Sequence, residues 1–190
     1  MTLSLHKKIL EESYHSHPCH IIGPDVIRQG TGEHQNPMDT RLRTKEEACY
    51  TIKMNRLALR FYPLLYPAVY YMLQKAEKSK LKNKEKQAAL SHQLQTDVIP
   101  FGACLIFTPL FAEKEEKAFD PETQFFYEEY ILALRCRRKN YKIVYDPSMT
   151  VYHESGAATK KSYSTEKKRI RFMLEKTAAA CEVYLEMLGE

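Results

Sequence analysis

Apolar residues first recur at helical spacing at Leu5, Ile9 and Leu10, predicting a short amphipathic helix that ends between His15 and Pro18. Ile21 and Ile22 follow as a buried strand closed by Gly23 and Pro24. From Gln29 to Arg43 neither a helical nor a strand period survives, and Gly, Asn, Pro and charge predict a loop. A helical pattern then runs from Glu46 to about residue 95. Its aromatic-rich centre, Leu57 to Leu73, is interrupted by Pro63 and Pro67, which should kink or split it.

Gly102 to Phe107 reads as a compact apolar strand, and Phe119-Asp120-Pro121 as a turn ahead of a helix from near Tyr127 to about Arg138. Tyr141 to Tyr145 and Thr150 to His153 read as two strands joined by an Asp146-Pro147 turn. Ser164 is placed to cap a last helix, over 164–188, whose apolar residues Ile170, Met173, Leu174, Thr177, Cys181, Tyr184, Leu185 and Leu188 recur at steps of three and four. The expected class is α/β, one domain over 1–190 with a helical insertion at about 45–95. The expected core includes Ile22, Leu105, Phe107, Leu132, Val144, Val151 and Leu174.

Composition narrows the picture modestly. With 44% hydrophobic and 28% charged residues over 190 positions, the chain can bury a core. Lys and Arg exceed Asp and Glu by 29 to 24, a mild excess that selects no partner by itself. Six lysines between Lys75 and Lys86 face only Glu77 and Glu85, so that stretch must be solvated or lie against something anionic. No aromatic RNA-binding signature or helix-turn-helix accompanies the charge, which argues against nucleic acid. Five dispersed cysteines without a CxxC pair fit free thiols. The N-terminus is too polar for a signal peptide and no apolar run is long enough to span a membrane, so a cytoplasmic chain is expected.

Candidate chemistry centres on Glu128 and Glu129, adjacent carboxylates where an aromatic stretch turns into a helix. On that helix Glu129 shares a face with Leu132 and Cys136, while Glu128 projects about 100° away towards Arg135. A helix N-terminus favours the ionised carboxylate that a general base must be. The same acids would equally serve as ordinary first-turn residues complementing the dipole. His15, His17, Cys19 and His20 form a dense donor cluster, but the spacing matches no common zinc motif and reads as a loop without metal.

Gly102-Ala103-Cys104-Leu105-Ile106-Phe107, Phe119-Asp120-Pro121, Phe126-Tyr127-Glu128-Glu129, Asn140-Tyr141-Lys142, Tyr145-Asp146-Pro147 and Val151-Tyr152-His153 occur in one order. That order resembles family 2 glycosyltransferases of the bacterial, polysaccharide-synthesis type. Ile21-Ile22-Gly23-Pro24-Asp25 and His34-Gln35-Asn36-Pro37 are similar to the segment such enzymes place after their DxD motif. The resemblance implies the acceptor-side half of a glycosyltransferase A-type fold. No DxD triplet occurs in the sequence, and the nucleotide-binding N-terminal half has no counterpart in it.

By this resemblance Glu129 is the general base of an inverting transfer from a nucleotide-sugar donor to a glycan or lipid-linked acceptor in surface polysaccharide assembly, and Glu128 orients the acceptor. His153 matches a ligand of the divalent metal, Mn or Mg, on the donor diphosphate, to be bound only with a donor-binding half present. A complementary N-terminal half is the implied protein partner. The alternative is a non-catalytic, partner-binding or vestigial chain. The segment from Leu57 to Leu73 with its lysine run fits a membrane surface as well as an ordinary helical insertion.

Overall fold

A computed structural model describes residues 3–87, 92–119, 123, 126–154 and 163–189. The protein is mixed α/β, and contacts divide it into two compact units. The first comprises 1–42, 88–118 and 129–155; the second comprises 43–87, 119–128 and 156–190.

In the first unit, helix α1 (Leu3–Ser16) leads into strand β1 (Ile21–Arg28). Strands β2 (Gln95–Thr96), β3 (Ile106–Phe107) and β4 (Ile143–His153) complete an open sheet of order β2-β4-β1-β3. The central pair, β1 and β4, is parallel, and the short edges β2 and β3 are antiparallel to their neighbours. Ile21, Ile22, Val26, Val144 and Tyr145 are buried along the central pair. This near-continuous apolar run suits strands covered on both faces. Cys19, Ile22, Val144 and Met149 form a core cluster against which Leu10 and Tyr14 of α1 pack.

Two turn-like dipeptides lie inside strands. Gly23-Pro24 does not close β1, which continues to Arg28, and Asp146-Pro147 does not separate two strands, because β4 is continuous. Pairing steps from Pro24↔Asp146 to Asp25↔Thr150, so residues 147–149 bulge from β4. The local turn chemistry is present: Ser148 N–H donates to Asp146 Oδ1 at 2.9 Å. The chain nevertheless rejoins the same neighbour, and the sheet absorbs the turn as a bulge. Pro24 sits where the register breaks, so its missing N–H falls at an interruption of the ladder. Burial alone would raise the Asp146 carboxyl, but hydrogen bonds from Ser13 and Ser148 outweigh it and hold the group below its ordinary value.

Helix α4 (Glu128–Arg138) begins and ends where the periodicity predicts and buries Tyr130, Ile131, Leu132, Ala133, Leu134 and Cys136. A short helix, α3 (Pro109–Ala112), precedes it. The expected strand over Gly102 to Phe107 is reduced to Ile106–Phe107, its first part being turn. Gln95 and Thr96 pair with Tyr145 and Val144, so the helical pattern does not reach residue 95. Ile22, Leu132, Val144 and Leu174 are buried as expected, whereas Leu105, Phe107 and Val151 are half-buried. Asp120 and Pro121 lie outside the described residues. None of the five cysteines is paired.

In the second unit, α2 (Lys45–Gln87) packs on α5 (Glu166–Gly189). Thr44 caps α2 reciprocally with Glu47: the Glu47 N–H donates to Thr44 Oγ1, and the Thr44 N–H to Glu47 Oε2. Leu65, between Pro63 and Pro67, is non-helical (φ −114°, ψ 24°), the expected kink. Tyr62, Ile170 and Leu174 form the core, with Ala58, Leu59, Tyr66, Val69 and Leu73 around it. The Tyr62 hydroxyl donates to the Lys167 carbonyl at 2.6 Å. Thr165, and not Ser164, caps α5, since its Oγ1 accepts the Lys168 N–H.

Candidate active site

The parallel strands β1 and β4 end together at Arg28 and His153. The carboxyl edge of a parallel pair is where open α/β sheets gather ligands. Beside the end of β1, His34 bridges to Ile27, and its Nδ1 lies 2.9 Å from both oxygens of Asp25. Asp25 is buried, with 8% of its side chain exposed, whereas His34 retains 32%. The Tyr145 hydroxyl also bonds Asp25, its acidity suppressed first by burial and then by that neighbouring charge. A buried carboxylate that accepts from Nδ1 fixes the ring and leaves Nε2 as the acceptor of the neutral imidazole.

Asn36, fully buried, ties the next segment to the sheet. Its Nδ2 donates to the Pro24 carbonyl at 2.6 Å, and its Oδ1 accepts the Phe101 N–H at 3.1 Å. Gly23 makes room for it: a Cβ there would lie 2.6 Å from Asn36 Nδ2. Ile99 pairs with Asp39 on the same stretch.

Phe101-Gly102 is the point on which two of the three expected residues, Glu129 and His153, converge. The Phe101 ring meets His153 edge-on at 5.9 Å. The Gly102 N–H donates to Glu129 Oε1 at 3.2 Å, and a Cβ on Gly102 would stand 2.6 Å from that oxygen. The glycine thus allows the carboxylate to lie over the backbone. One residue on, the Tyr130 hydroxyl donates to Asp39 Oδ2 at 3.0 Å. The first turn of α4 is thereby tied to two separate loops. Farther along, Arg135 bonds Glu115 at 3.1 Å and the Ala118 carbonyl at 3.3 Å.

The entry to α4 is unusual in its backbone. Phe126 and Tyr127 both adopt left-handed φ, 64° and 66°, which for bulky side chains persists only where surroundings impose it. Tyr127 packs on Tyr184 with ring centres 5.4 Å apart. Glu128 and Glu129, the next two residues, are both half-buried.

Glu129 and His153 therefore flank one dipeptide, although they are 24 residues apart in sequence. Among the described residues no group of three or more His, Cys, Asp or Glu side chains is placed to hold a metal. His153 offers one imidazole, which suits only an ion held mainly by other ligands. The histidine-rich stretch is used structurally: Cys19 is buried, and His20 stacks on Tyr141 at 4.2 Å. The Asp25–His34 pair and Asn36 received no role from sequence reasoning. Their signals were a polar loop following a buried strand and their place in the two segments that carry the upstream resemblance, neither of which pairs Asp25 with His34. Comparison with family models, curated proteins and solved structures yields no match for the chain.

Proposed function

We propose that the chain is the acceptor-side half of an inverting glycosyltransferase, with Glu129 as general base and Glu128 orienting the acceptor. The observation that carries this reading is the Glu129 carboxylate seated on the Gly102 backbone, at the N-terminus of α4. In the proposed step an acceptor hydroxyl gives its proton to Glu129 as its oxygen attacks the anomeric carbon. The bond to the nucleotide diphosphate breaks on the opposite face, inverting that carbon. His153 would supply one ligand to a divalent ion on the diphosphate, where such an ion offsets leaving-group charge.

The test uses the full chain, mixed with nucleoside diphosphate sugars and manganese, alone and with a supplied donor-binding half. Transfer, or slow donor hydrolysis, is expected to fall at least about a hundredfold in Glu129→Gln, because an amide cannot take the proton. His153→Ala should weaken metal-dependent nucleotide binding measured by calorimetry and leave the fold intact. Full turnover in Glu129→Gln would sink the assignment. The Asp25–His34 pair favours a second reading, in which His34 Nε2 is the base. On that reading His34→Gln, and not Glu129→Gln, abolishes turnover.

A further inference from the structure

Helix α2 also carries apolar side chains that its packing on α5 leaves exposed. Leu57, Phe61 and Leu64 follow one another at helical steps and are 46%, 42% and 83% exposed. Beyond the kink, Tyr71 and Met72 continue the exposed surface at 68% and 60%. The helix thus has two apolar stripes, one buried against α5 through Tyr62 and its neighbours and one open. Single exposed apolar residues are commonplace, but a stripe of this length marks a surface that is covered in use.

The charge beside the stripe restricts what covers it. Between Glu47 and Glu77 the sequence contains Lys53, Arg56, Arg60 and Lys75 and no carboxylate. Lys53, Arg56 and Arg60 recur at steps of three and four, next to Leu57. They line an open groove of about 540 Å³ whose apolar walls include Ile52 and Leu185. Arg56 is held there by Glu182 at 2.5 Å. The same helix carries five further lysines from Lys78 to Lys86, against Glu77 and Glu85. Apolar side chains bordered by cations complement acyl chains bordered by phosphates, and tyrosines suit the boundary between them. No helix among the described residues is long and apolar enough to cross a membrane, so this face can lie on a bilayer but not span it.

We infer that α2 is an interfacial element that seats the protein on an anionic phospholipid surface. Leu57, Phe61, Leu64 and Tyr71 enter the acyl boundary, and Lys53 and Arg60 meet lipid phosphates. The inference is independent of the glycosyl-transfer reading, because none of the residues it uses has a role in that reading.

The experiment is flotation of the full chain with vesicles of phosphatidylcholine alone or mixed with phosphatidylglycerol, at low and high salt. Binding to the mixed vesicles, weakened by salt, is expected. Lys53→Glu/Arg60→Glu should lower partitioning at least about tenfold. Leu64→Ser/Tyr71→Ser should lower it comparably with unchanged helicity by circular dichroism, since both side chains are exposed. Equal partitioning onto phosphatidylcholine alone, or partitioning indifferent to both double variants, overturns the inference. So does a wild-type chain that ignores vesicles but forms a stripe-dependent dimer in the ultracentrifuge, which would assign the face to a second copy.

Discussion

The two units depart from the usual inside-outside rule in opposite directions. Among the described residues, the first unit buries Ser13, Asp25, Gln35, Asn36, Thr108 and Asp146, whereas the second buries only Thr123 among polar side chains. Conversely, Tyr50, Leu57, Phe61, Leu64, Leu65, Tyr70, Tyr71 and Met72 stand exposed in the second, against Leu94 and Tyr152 in the first. Burying a polar group costs free energy unless it is bonded, and exposing an apolar stripe forgoes free energy unless it is later covered. The first pattern is what a preorganised polar site requires, and the second is what an adsorbing surface requires.

The largest test of this contrast sets the two stripes of the second unit against each other. Leu174→Ala, in the core against α2, should cost about 2–5 kcal/mol in urea unfolding. Leu64→Ala, on the open stripe, should stay within about 0.5 kcal/mol. A large loss from Leu64→Ala would mean that the exposed face contributes to folding, and the contrast between stripes would fail.

The next test compares two glycines of the first unit whose added Cβ would meet a polar atom at the same 2.6 Å. Gly23→Ala presses on Asn36, which is buried and bonded at both ends of its amide, and should cost about 1–3 kcal/mol. Gly102→Ala meets the far end of the Glu129 side chain, which can move. It should cost less than about 1 kcal/mol but, on the proposed glycosyl-transfer reading, reduce turnover by displacing the carboxylate. Equal costs at the two positions would show that Glu129 is held as rigidly as Asn36.

The smallest expected effect is a pH dependence confined to the first unit. His20 Nδ1 accepts the Lys142 N–H at 3.1 Å, and its Nε2 is buried without a partner. Burial, then the charges of Lys114 and Lys142, lower its affinity for a proton below the ordinary value of 6.5. The unfolded chain therefore takes up this proton first as pH falls, and stability contributed by neutral His20 is complete above pH 6.5 and lost progressively below it. Unfolding curves between pH 7 and pH 5 should show this slope, and His20→Gln should flatten it. An unchanged slope would place the titration elsewhere.

The candidate site was legible in the sequence only where its residues are adjacent or set by one helix. Glu128 and Glu129 open α4 as the periodicity of Leu132 and Cys136 required. His153 ends its strand as expected, although that strand is continuous with the one before it. Asp25 and His34 could not be paired in advance, because the aperiodic five-residue stretch from Gln29 to Glu33 leaves their approach to the sheet geometry.

Local spacing foretold the longer helices, whose backbone bonds are internal: α2 kinks at its prolines and α5 buries the face its spacing marked, whereas α4, buried at every position from Tyr130 to Leu134, is enclosed on more than the one face expected. Tertiary structure alone decided that Asp146-Pro147 bulges one strand and that Gln95 and Thr96 pair with β4. It also decided that Gly102 receives Glu129. Those outcomes depend on which distant backbone offers the missing donors and acceptors, and no local period encodes that choice.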